Sequence, residues 1–296
     1  MSTGQQKPTQ QHTHSIRRRT VTAAALAAFT LSALAACGSS DEPATTTPSS
    51  GGGGTGPKLT IGVPFDEPGL GLKSGDSYSG FDIDTAKYVA KALGTSEGDI
   101  TWVEANPEDR ETLLTSGKAD MVVATYSITD QRKQQVDFAG PYFVAHQDLL
   151  VRRNDEDLTG PDTLSGRKLC SVTGTTSAAL VKTLYKGNIQ LQEYPKYSEC
   201  VAALAKGDID AVTTDDVILA GYSAQKPYRG QLRLVGKGFS DERYGVGLKK
   251  GDTEMVTKVN AALKSYIDDG SWKKSLDSTV GPSGYTIPDP PTPGSS

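Results

Sequence analysis

Short apolar runs alternate with helical patterns along the first part of the chain. The run KLTIGVPF is apolar and β-branched, which is typical of a buried strand. In GFDIDTAKYVAKALG the apolar residues recur every three or four positions, which predicts an amphipathic helix ending at Gly94. A second helix is predicted with Asn106 as N-cap and Pro107 as its first residue. The resulting order is strand, helix, strand, helix, strand: KLTIGVPF (58–65), GFDIDTAKYVAKALG (80–94), DITWVEA (99–105), NPEDRETLLTSG (106–117) and ADMVVATY (119–126).

The same order of elements occurs a second time. TLLTSGKADMVVAT (112–125) and AALAKGDIDAVTTD (202–215) each contain a helix end, Gly-x-x-Asp and an apolar strand with polar final residues. Alternation of this kind predicts a mostly parallel sheet covered by helices, and its repetition predicts two α/β lobes built alike. The second set is KLCSVTG (168–174), TTSAALVKTLYKG (175–187), IQLQEYP (189–195), YSECVAALAKG (197–207) and DIDAVTTD (208–215).

Two segments are predicted to connect the lobes, HQDLLVRR (146–153) and RYGVGLKK (243–250), and a helix over 254–269 then returns to the first lobe. The boundaries are predicted as 58–148 with 247–281 for lobe 1, 149–246 for lobe 2 and 282–296 for a disordered tail. Ligands of open parallel sheets bind at the carboxyl ends of strands, so a cleft is expected where Ser127 and Asp215 end their strands.

The N-terminal residues are typical of an export signal. Residues 1–36 contain four basic and no acidic residues, and an Ala-rich run that is too short for a stable anchor follows the arginines. LAAC (34–37) resembles a bacterial lipobox, which implies a lipoprotein signal peptide over 1–36 and a lipidated Cys37. An ordinary cleavage site with an incidental cysteine is the alternative. The Ser/Thr/Gly/Pro-rich segment 37–57 is predicted to be a flexible tether, and either the Sec or the twin-arginine export route is compatible.

Charge and cysteine content narrow the choice of partner. The chain has 31 basic and 35 acidic residues, so loss of the four leader cations leaves 27 against 35, a formal charge of −8. An acidic chain argues against nucleic acid as a partner. If Cys37 is lipidated, Cys170 and Cys200 remain as an even pair in an oxidising compartment, which predicts a disulfide; two buried thiols are the alternative. There is no Cys-x-x-Cys motif or His/Cys cluster, so neither metal nor cofactor is expected.

Several motifs resemble the polar amino-acid-binding proteins of ABC importers, family 3 of the bacterial extracellular solute-binding proteins. They extend from Lys58 to about Leu276, and SITDQRKQQVDFAGPY (127–142) is the most specific of them. A closer resemblance is to the glutamate-binding lipoproteins of high-GC Gram-positive bacteria. It rests on FDEPGLGLKSG (65–75), ATYSIT (124–129), LCSVTG (169–174), LQEYPKYSECVAAL (191–204), TTDDVILAGYS (213–223) and YGVGLKKGD (244–252). It implies a type II periplasmic-binding-protein-like fold with two hinge crossings.

The resemblance also implies roles for polar residues at the predicted cleft. Burying a zwitterion requires a partner for each charge. Arg132, Ser127, Thr175 and Thr176 would bind the α-carboxylate, since arginine can hold it bidentately and a helix beginning at GTTS offers free N–H groups. Asp215 and the Thr125 carbonyl would bind the ammonium. From spacing alone, Arg132 is more typical of a surface charge, and Asp215 is compatible with a helix cap. Thr129 is expected to support the loop rather than to contact the ligand.

The residues that select the ligand side chain are harder to predict. Phe65 lies where relatives place an aromatic residue against the ligand, although core packing is the alternative. Lys73, in the loop after the first strand, is the candidate partner for a side-chain carboxylate, and a solvated lysine is the alternative. His146, beside a predicted hinge, is a weaker candidate.

The leading hypothesis is a receptor that captures glutamate or a related amino acid and delivers it to an ABC permease with a cytoplasmic ATPase. It would be a monomer, attached by lipid to the outer face of the cell membrane. A dehydratase-like enzyme on the same scaffold is a second hypothesis, but no nucleophile–base pair stands out. A sensor module for a signalling partner is a third.

Overall fold

The computed structural model describes residues 56–184 and 188–295. Their strands are β1 (Leu59–Val63), β2 (Asp66–Glu67), β3 (Gly71–Ser74), β4 (Ser77–Ser79), β5 (Ile100–Glu104), β6 (Met121–Val122), β7 (Val136–Ala145), β8 (Gln147–Arg152), β9 (Lys168–Val172), β10 (Gln190–Tyr194), β11 (Ala211–Asp215), β12 (Leu232–Leu234) and β13 (Glu242–Lys249). Their helices are α1 (Phe81–Ala92), α2 (Arg110–Thr115), α3 (Asp130–Lys133), α4 (Thr176–Leu184), α5 (Tyr197–Lys206), α6 (Asp216–Ser223), α7 (Thr253–Asp268) and α8 (Ser271–Thr279). The predicted signal peptide, Cys37 and nearly all of the tether lie outside the described residues.

Two five-stranded sheets with equivalent strand orders form the two lobes. The lobe 1 sheet has the order β5-β1-β6-β13-β7, and the lobe 2 sheet has the order β10-β9-β11-β8-β12. In each sheet three parallel strands are followed by a strand antiparallel to both of its neighbours, β13 in lobe 1 and β8 in lobe 2. The prediction of two similarly built α/β lobes is therefore confirmed.

The chain passes from one lobe to the other at slightly different places from those predicted. The first crossing is at His146, which separates β7 from β8. The second lies between Leu234 and Glu242, because β13 pairs with β7 from its first residue onward. Lobe 2 therefore ends several residues before the predicted boundary at 246. The sequence indicates a strand in this region but does not indicate which sheet each end of it joins.

Aromatic packing stabilises lobe 1, and a disulfide stabilises lobe 2. In lobe 1 the buried ring of Phe81 lies 5.7 Å from Phe143 and 6.1 Å from Trp272, which connects α1 to β7 and α8. In lobe 2 Cys170 of β9 and Cys200 of α5 form a disulfide. The predicted disulfide is confirmed, and it attaches a helix to the central part of its own sheet.

The C-terminal segment differs from the predicted disordered tail. Tyr285 and Ile287 pack against the hydrophobic core. Further along, the Gly294 amide donates to the Gly140 carbonyl at 2.7 Å, and Arg243 donates to the Ser295 carbonyl at 2.7 Å. A Pro-rich segment cannot join a sheet ladder easily, but its apolar side chains and free carbonyls still make these contacts.

Candidate functional site

A small cavity lies between the lobes at the carboxyl ends of β6 and β11. We call it the interlobe cavity, and its volume is only about 10 Å³. It is lined by three lobe 1 residues, Arg110, Thr125 and Ser127, and by seven lobe 2 residues, Thr175, Thr176, Ser177, Tyr197, Thr214, Asp215 and Ile218. A larger pocket beside it is lined by Arg132, Thr175, Thr176 and Glu242 and opens to solvent. Unpartnered buried polar atoms collect at the smaller cavity, which makes it the better candidate site.

The lobe 1 wall contains a strained backbone position. Thr125 has φ 44°, a left-handed conformation that non-glycine residues rarely adopt. Its amide donates to the Asp82 carboxylate at 2.8 Å, and its hydroxyl lies 3.4 Å from Glu67. Burial is the main cause that raises the pKa of Asp82 to about 6 and that of Glu67 to about 8. The conformation turns the chain from β6 toward buried Ser127, whose carbonyl lies beside Arg132.

Arg132 lies beside the cavity and contacts both lobes. Its guanidinium donates to the Ser127 carbonyl at 2.8 Å and to the Gly174 carbonyl of lobe 2 at 3.1 Å, and its Nε lies 3.3 Å from Glu111. Burial, followed by the charge of Arg110, lowers the pKa of Arg132. Thr129 accepts a hydrogen bond from the Arg132 amide at 3.2 Å, so its side chain supports the loop.

Asp215 is the buried acid of the lobe 2 wall. It ends β11 and occupies the N-cap position of α6, but its side chain makes no capping hydrogen bond. One carboxylate oxygen accepts from the Tyr244 hydroxyl at 2.5 Å, and the other is buried without a partner among the described residues. Burial, followed by the nearby Glu242 charge, raises the pKa of Asp215 to about 8. The free oxygen at the cavity favours binding of a cationic group over helix capping.

The start of α4 forms the rest of the lobe 2 wall. The Thr175 hydroxyl donates to the Val172 carbonyl at 2.7 Å and accepts from the Ala178 amide at 3.0 Å, so it caps the helix. The Thr176 hydroxyl donates to Glu242 at 2.9 Å. With both hydroxyls engaged in this way, the first-turn N–H groups are what α4 offers to an anion.

Arg110 is the charged cavity residue that the sequence analysis missed. The sequence predicts a helix with Asn106 as N-cap, whereas α2 begins at Arg110 after a turn in which the Asp109 amide donates to the Asn106 carbonyl at 2.9 Å. Arg110 is therefore carried on the first turn and is 3% exposed. One sequence signal could have located it. Arg110 precedes the apolar Leu114 by four residues, which places a single cation on the buried face of the helix.

Three candidates for the ligand side chain lie away from the interlobe cavity. Lys73 is exposed on the β3–β4 hairpin, with its ammonium 4.9 Å from the Phe65 ring and 5.6 Å from the Tyr78 ring. Phe65 packs against Tyr78 with 5.3 Å between ring centroids, as in the core-packing alternative. His146 lies at the first crossing, with Nδ1 2.9 Å from the Ser240 carbonyl.

Contacts between the lobes show that the cleft is closed. The half-buried Asp66 of lobe 1 accepts from the Ser198 amide at 3.0 Å and from the Tyr222 hydroxyl at 2.9 Å, both in lobe 2. A Cβ at Gly174 would lie 2.7 Å from the Glu108 backbone, so glycine permits this close approach. The interlobe cavity is thereby enclosed.

Comparison with known proteins identifies the family. Residues 59–281 match the model of the bacterial extracellular solute-binding proteins, family 3. The chain belongs to this family. It is 45% identical over 234 residues to a glutamate-binding protein of Corynebacterium glutamicum, covering 75% of this chain and 78% of that protein. It is 36% identical to the glutamine-binding protein of a Bacillus subtilis ABC transporter, covering 73% and 78%.

The fold comparison agrees with this assignment. An ancestral arginine-binding protein solved with arginine matches with a TM-score of 0.70 and 33% identity, covering 75% of this chain and 97% of that one. The protein thus has the type II periplasmic-binding-protein fold, and it is a solute-binding protein rather than an enzyme. Within residues 56–184 and 188–295, no helix is both long and apolar enough to span a bilayer, and no group of His, Cys, Asp and Glu side chains is suited to a metal ion.

Proposed function

We propose that this protein captures glutamate, or a closely related acidic or polar amino acid, for an ABC importer. The observation that carries the proposal is the unpartnered, buried oxygen of Asp215 in an enclosed cavity that also meets the start of a helix and a buried arginine. An amino acid supplies the missing charges, since its ammonium suits Asp215 and its carboxylate suits N–H groups and a guanidinium. The 45% identity to a glutamate-binding protein supports glutamate within this class.

In this proposal Arg132, Ser127, Thr175 and Thr176 bind the α-carboxylate. Arg132 has five N–H donors, and three are directed at Ser127, Gly174 and Glu111, which leaves two for a ligand. Thr175 and Thr176 contribute through the first turn of α4 rather than through their engaged hydroxyls. Asp215 and the Thr125 carbonyl bind the ammonium. Phe65 and Lys73 are left out because they pack together outside the interlobe cavity.

The proposal extends to location and partners. Cys37, acylated after removal of residues 1–36, would anchor the protein at the outer face of the membrane through the tether 37–57. The closed lobes would present the ligand to permease subunits with a cytoplasmic ATPase, and the receptor would act as a monomer. Intact-mass analysis and membrane fractionation of the exported protein test the anchor. A soluble product that keeps no acyl chain on Cys37 would contradict it.

Ligand binding by a soluble fragment that starts after Cys37 tests the central claim. Thermal-shift screening against the common amino acids should show the largest increase in melting temperature with glutamate, because a ligand that binds only the native state stabilises it. Calorimetry then gives the dissociation constants for glutamate, aspartate, glutamine and arginine. Absence of binding to any of them would contradict the proposed function.

A further inference from the structure

We infer that Asp82 is a positioning residue for the ligand ammonium, because its carboxylate fixes the backbone conformation of Thr125. The inference deepens the proposed function and rests on it, since the Thr125 carbonyl is the lobe 1 group proposed to bind the ammonium. It gives a role in ligand binding to a buried acid that lies outside the residues lining the interlobe cavity.

Asp82 joins three parts of lobe 1 at one point. It lies in the first turn of α1 and is completely buried. One of its carboxylate oxygens accepts from the Thr125 amide at 2.8 Å, just after β6, and the other accepts from the Tyr142 hydroxyl of β7 at 2.8 Å. Both oxygens are therefore engaged, one with the backbone of the cavity wall and one with the core behind it.

The surroundings of Asp82 keep its carboxylate ionised at neutral pH. Burial raises the pKa of Asp82 to about 6, while the hydrogen bonds from Tyr142 and Thr125 and the charge of Arg110 oppose the rise. The start of α1 also favours a negative charge at this position. An ionised carboxylate can only accept hydrogen bonds, and its bonds are stronger than those of a neutral acceptor. Asp82 is thus suited to hold an amide in one place.

Thr125 needs such a partner, because a β-branched residue rarely adopts a φ of 44°. The sheet does not supply it, since β6 pairs with its neighbours only through Met121 and Val122. The Thr125 hydroxyl makes only long contacts of 3.4 Å, with Arg110 and with Glu67. The short bond to Asp82 is therefore what holds this backbone. Without it, Thr125 should return to a common conformation, which would turn its carbonyl away from the ammonium.

Calorimetry of D82A and D82N with glutamate and glutamine tests the inference. D82A removes both acceptors and should weaken both ligands alike by about tenfold or more, since they share the ammonium. D82N keeps one acceptor oxygen and should lose no more than about threefold. The matched control is D84A, which removes a carboxylate from the same helical turn. Asp84 accepts from Ser275 at 2.6 Å instead, so D84A should bind both ligands normally even where its melting temperature falls.

Nuclear magnetic resonance of the unliganded protein gives a readout that a general loss of stability would not change. A residue with positive φ shows a strong nuclear Overhauser effect between its own amide and α protons. This signal of Thr125 should weaken in D82A and stay unchanged in D84A. If D82A does not fold, D82E replaces it, because the longer side chain moves the carboxylate away from the Thr125 amide and should have the same effect.

The outcomes separate this inference from the proposed function. Normal affinity in D82A, or an unchanged Thr125 signal, would overturn the inference while wild-type protein still binds amino acids. Equal losses of affinity in D82A and D84A would also overturn it, since they would indicate a general effect of the α1 turn. If wild-type protein binds neither ligand, the proposed function fails and the inference fails with it.

Discussion

The two lobes share a strand order but contribute opposite charges to the cleft. Lobe 1 brings two buried arginines to the same aromatic ring, whereas lobe 2 brings a buried carboxylate and the start of a helix. A symmetric scaffold therefore carries an asymmetric site. The division would suit a zwitterion in the proposed binding mode, because closing the lobes would bring each ligand charge to its partner and exclude water, which would strengthen both interactions.

The lobes also differ in how each holds the strand end at the site. In lobe 2, β11 pairs regularly with β8 through all five of its residues to Asp215. In lobe 1, β6 pairs over only two residues, and the chain then takes the strained conformation of Thr125, which Asp82 holds through the amide. Strained backbone positions occur most often at binding sites, where the surrounding structure maintains them. Lobe 1 thus positions its strand end at the site through a locally strained backbone, whereas lobe 2 positions its strand end through regular strand pairing.

The largest effect is expected from removing the carboxylate of lobe 2. Asp215→Asn should weaken binding of glutamate and glutamine alike by about 100-fold or more, since the buried ammonium would lose its counter-ion. Calorimetry measures the loss. Asp208→Asn, an exposed change in the same lobe, is the control and should bind normally. Near-normal binding in Asp215→Asn would assign the ammonium to another group.

The place of the cleft could be predicted from the sequence, because strand ends are easy to locate, whereas the opposite charges of its two walls were implied by the family resemblance. Ser127 and Asp215 end apolar runs, and the rule that ligands meet the carboxyl ends of parallel strands brings them to one cleft. The Cys170–Cys200 disulfide could be predicted because two cysteines remain when Cys37 is assigned to the lipid anchor. Arg110 was missed because a local N-cap signal at Asn106 started the helix one turn early. The place of Lys73 could not be predicted, because a loop sequence does not show which way a hairpin points, and here the hairpin directs it to solvent.

The disulfide tests how far lobe 2 depends on a covalent bond that lobe 1 lacks among its described residues. The double change Cys170→Ala and Cys200→Ala should lower the free energy of unfolding by about 2–4 kcal/mol, the usual range for a disulfide that closes a loop of this size. Urea denaturation monitored by fluorescence measures it. Because both cysteines belong to lobe 2, the variant should lose protection from hydrogen exchange mainly in β9, β10 and α5. A loss spread evenly over both lobes would contradict a local role.

The raised pKa values predict that binding releases a proton. Burial raises the pKa of Asp215 to about 8, so at neutral pH the group is mostly protonated until an ammonium replaces the proton. Affinity should therefore rise with pH by up to about tenfold per unit as the pH approaches 8. Calorimetry in buffers of different ionisation enthalpy measures the released proton. Glu67→Gln should keep this dependence if Asp215 is its source, and pH-independent binding would contradict it.

The same groups predict the opposite trend for stability without ligand. Both Asp215 and Glu67 have a native pKa of about 8, above their ordinary values of 3.8 and 4.5. The native state therefore binds more protons than the unfolded chain between those limits. Their contribution to stability is complete below about pH 4 and is lost as the pH rises to about 8. Melting temperatures should fall over this range without ligand, and saturating glutamate should reduce the fall.

The smallest effect is expected from contacts that join the lobes without touching the interlobe cavity. Asp66→Ala removes the acceptor of the Ser198 amide and the Tyr222 hydroxyl, both across the cleft. Because these bonds form only on closure, glutamate and glutamine should both bind about tenfold more weakly, mainly through faster dissociation. Lys196→Met, which removes a partly exposed pair with Glu104, should cost no more than about fivefold. Stopped-flow dissociation rates distinguish the two variants. If Asp66→Ala weakened only glutamate binding, Asp66 would act on the ligand charge rather than on the balance between open and closed lobes.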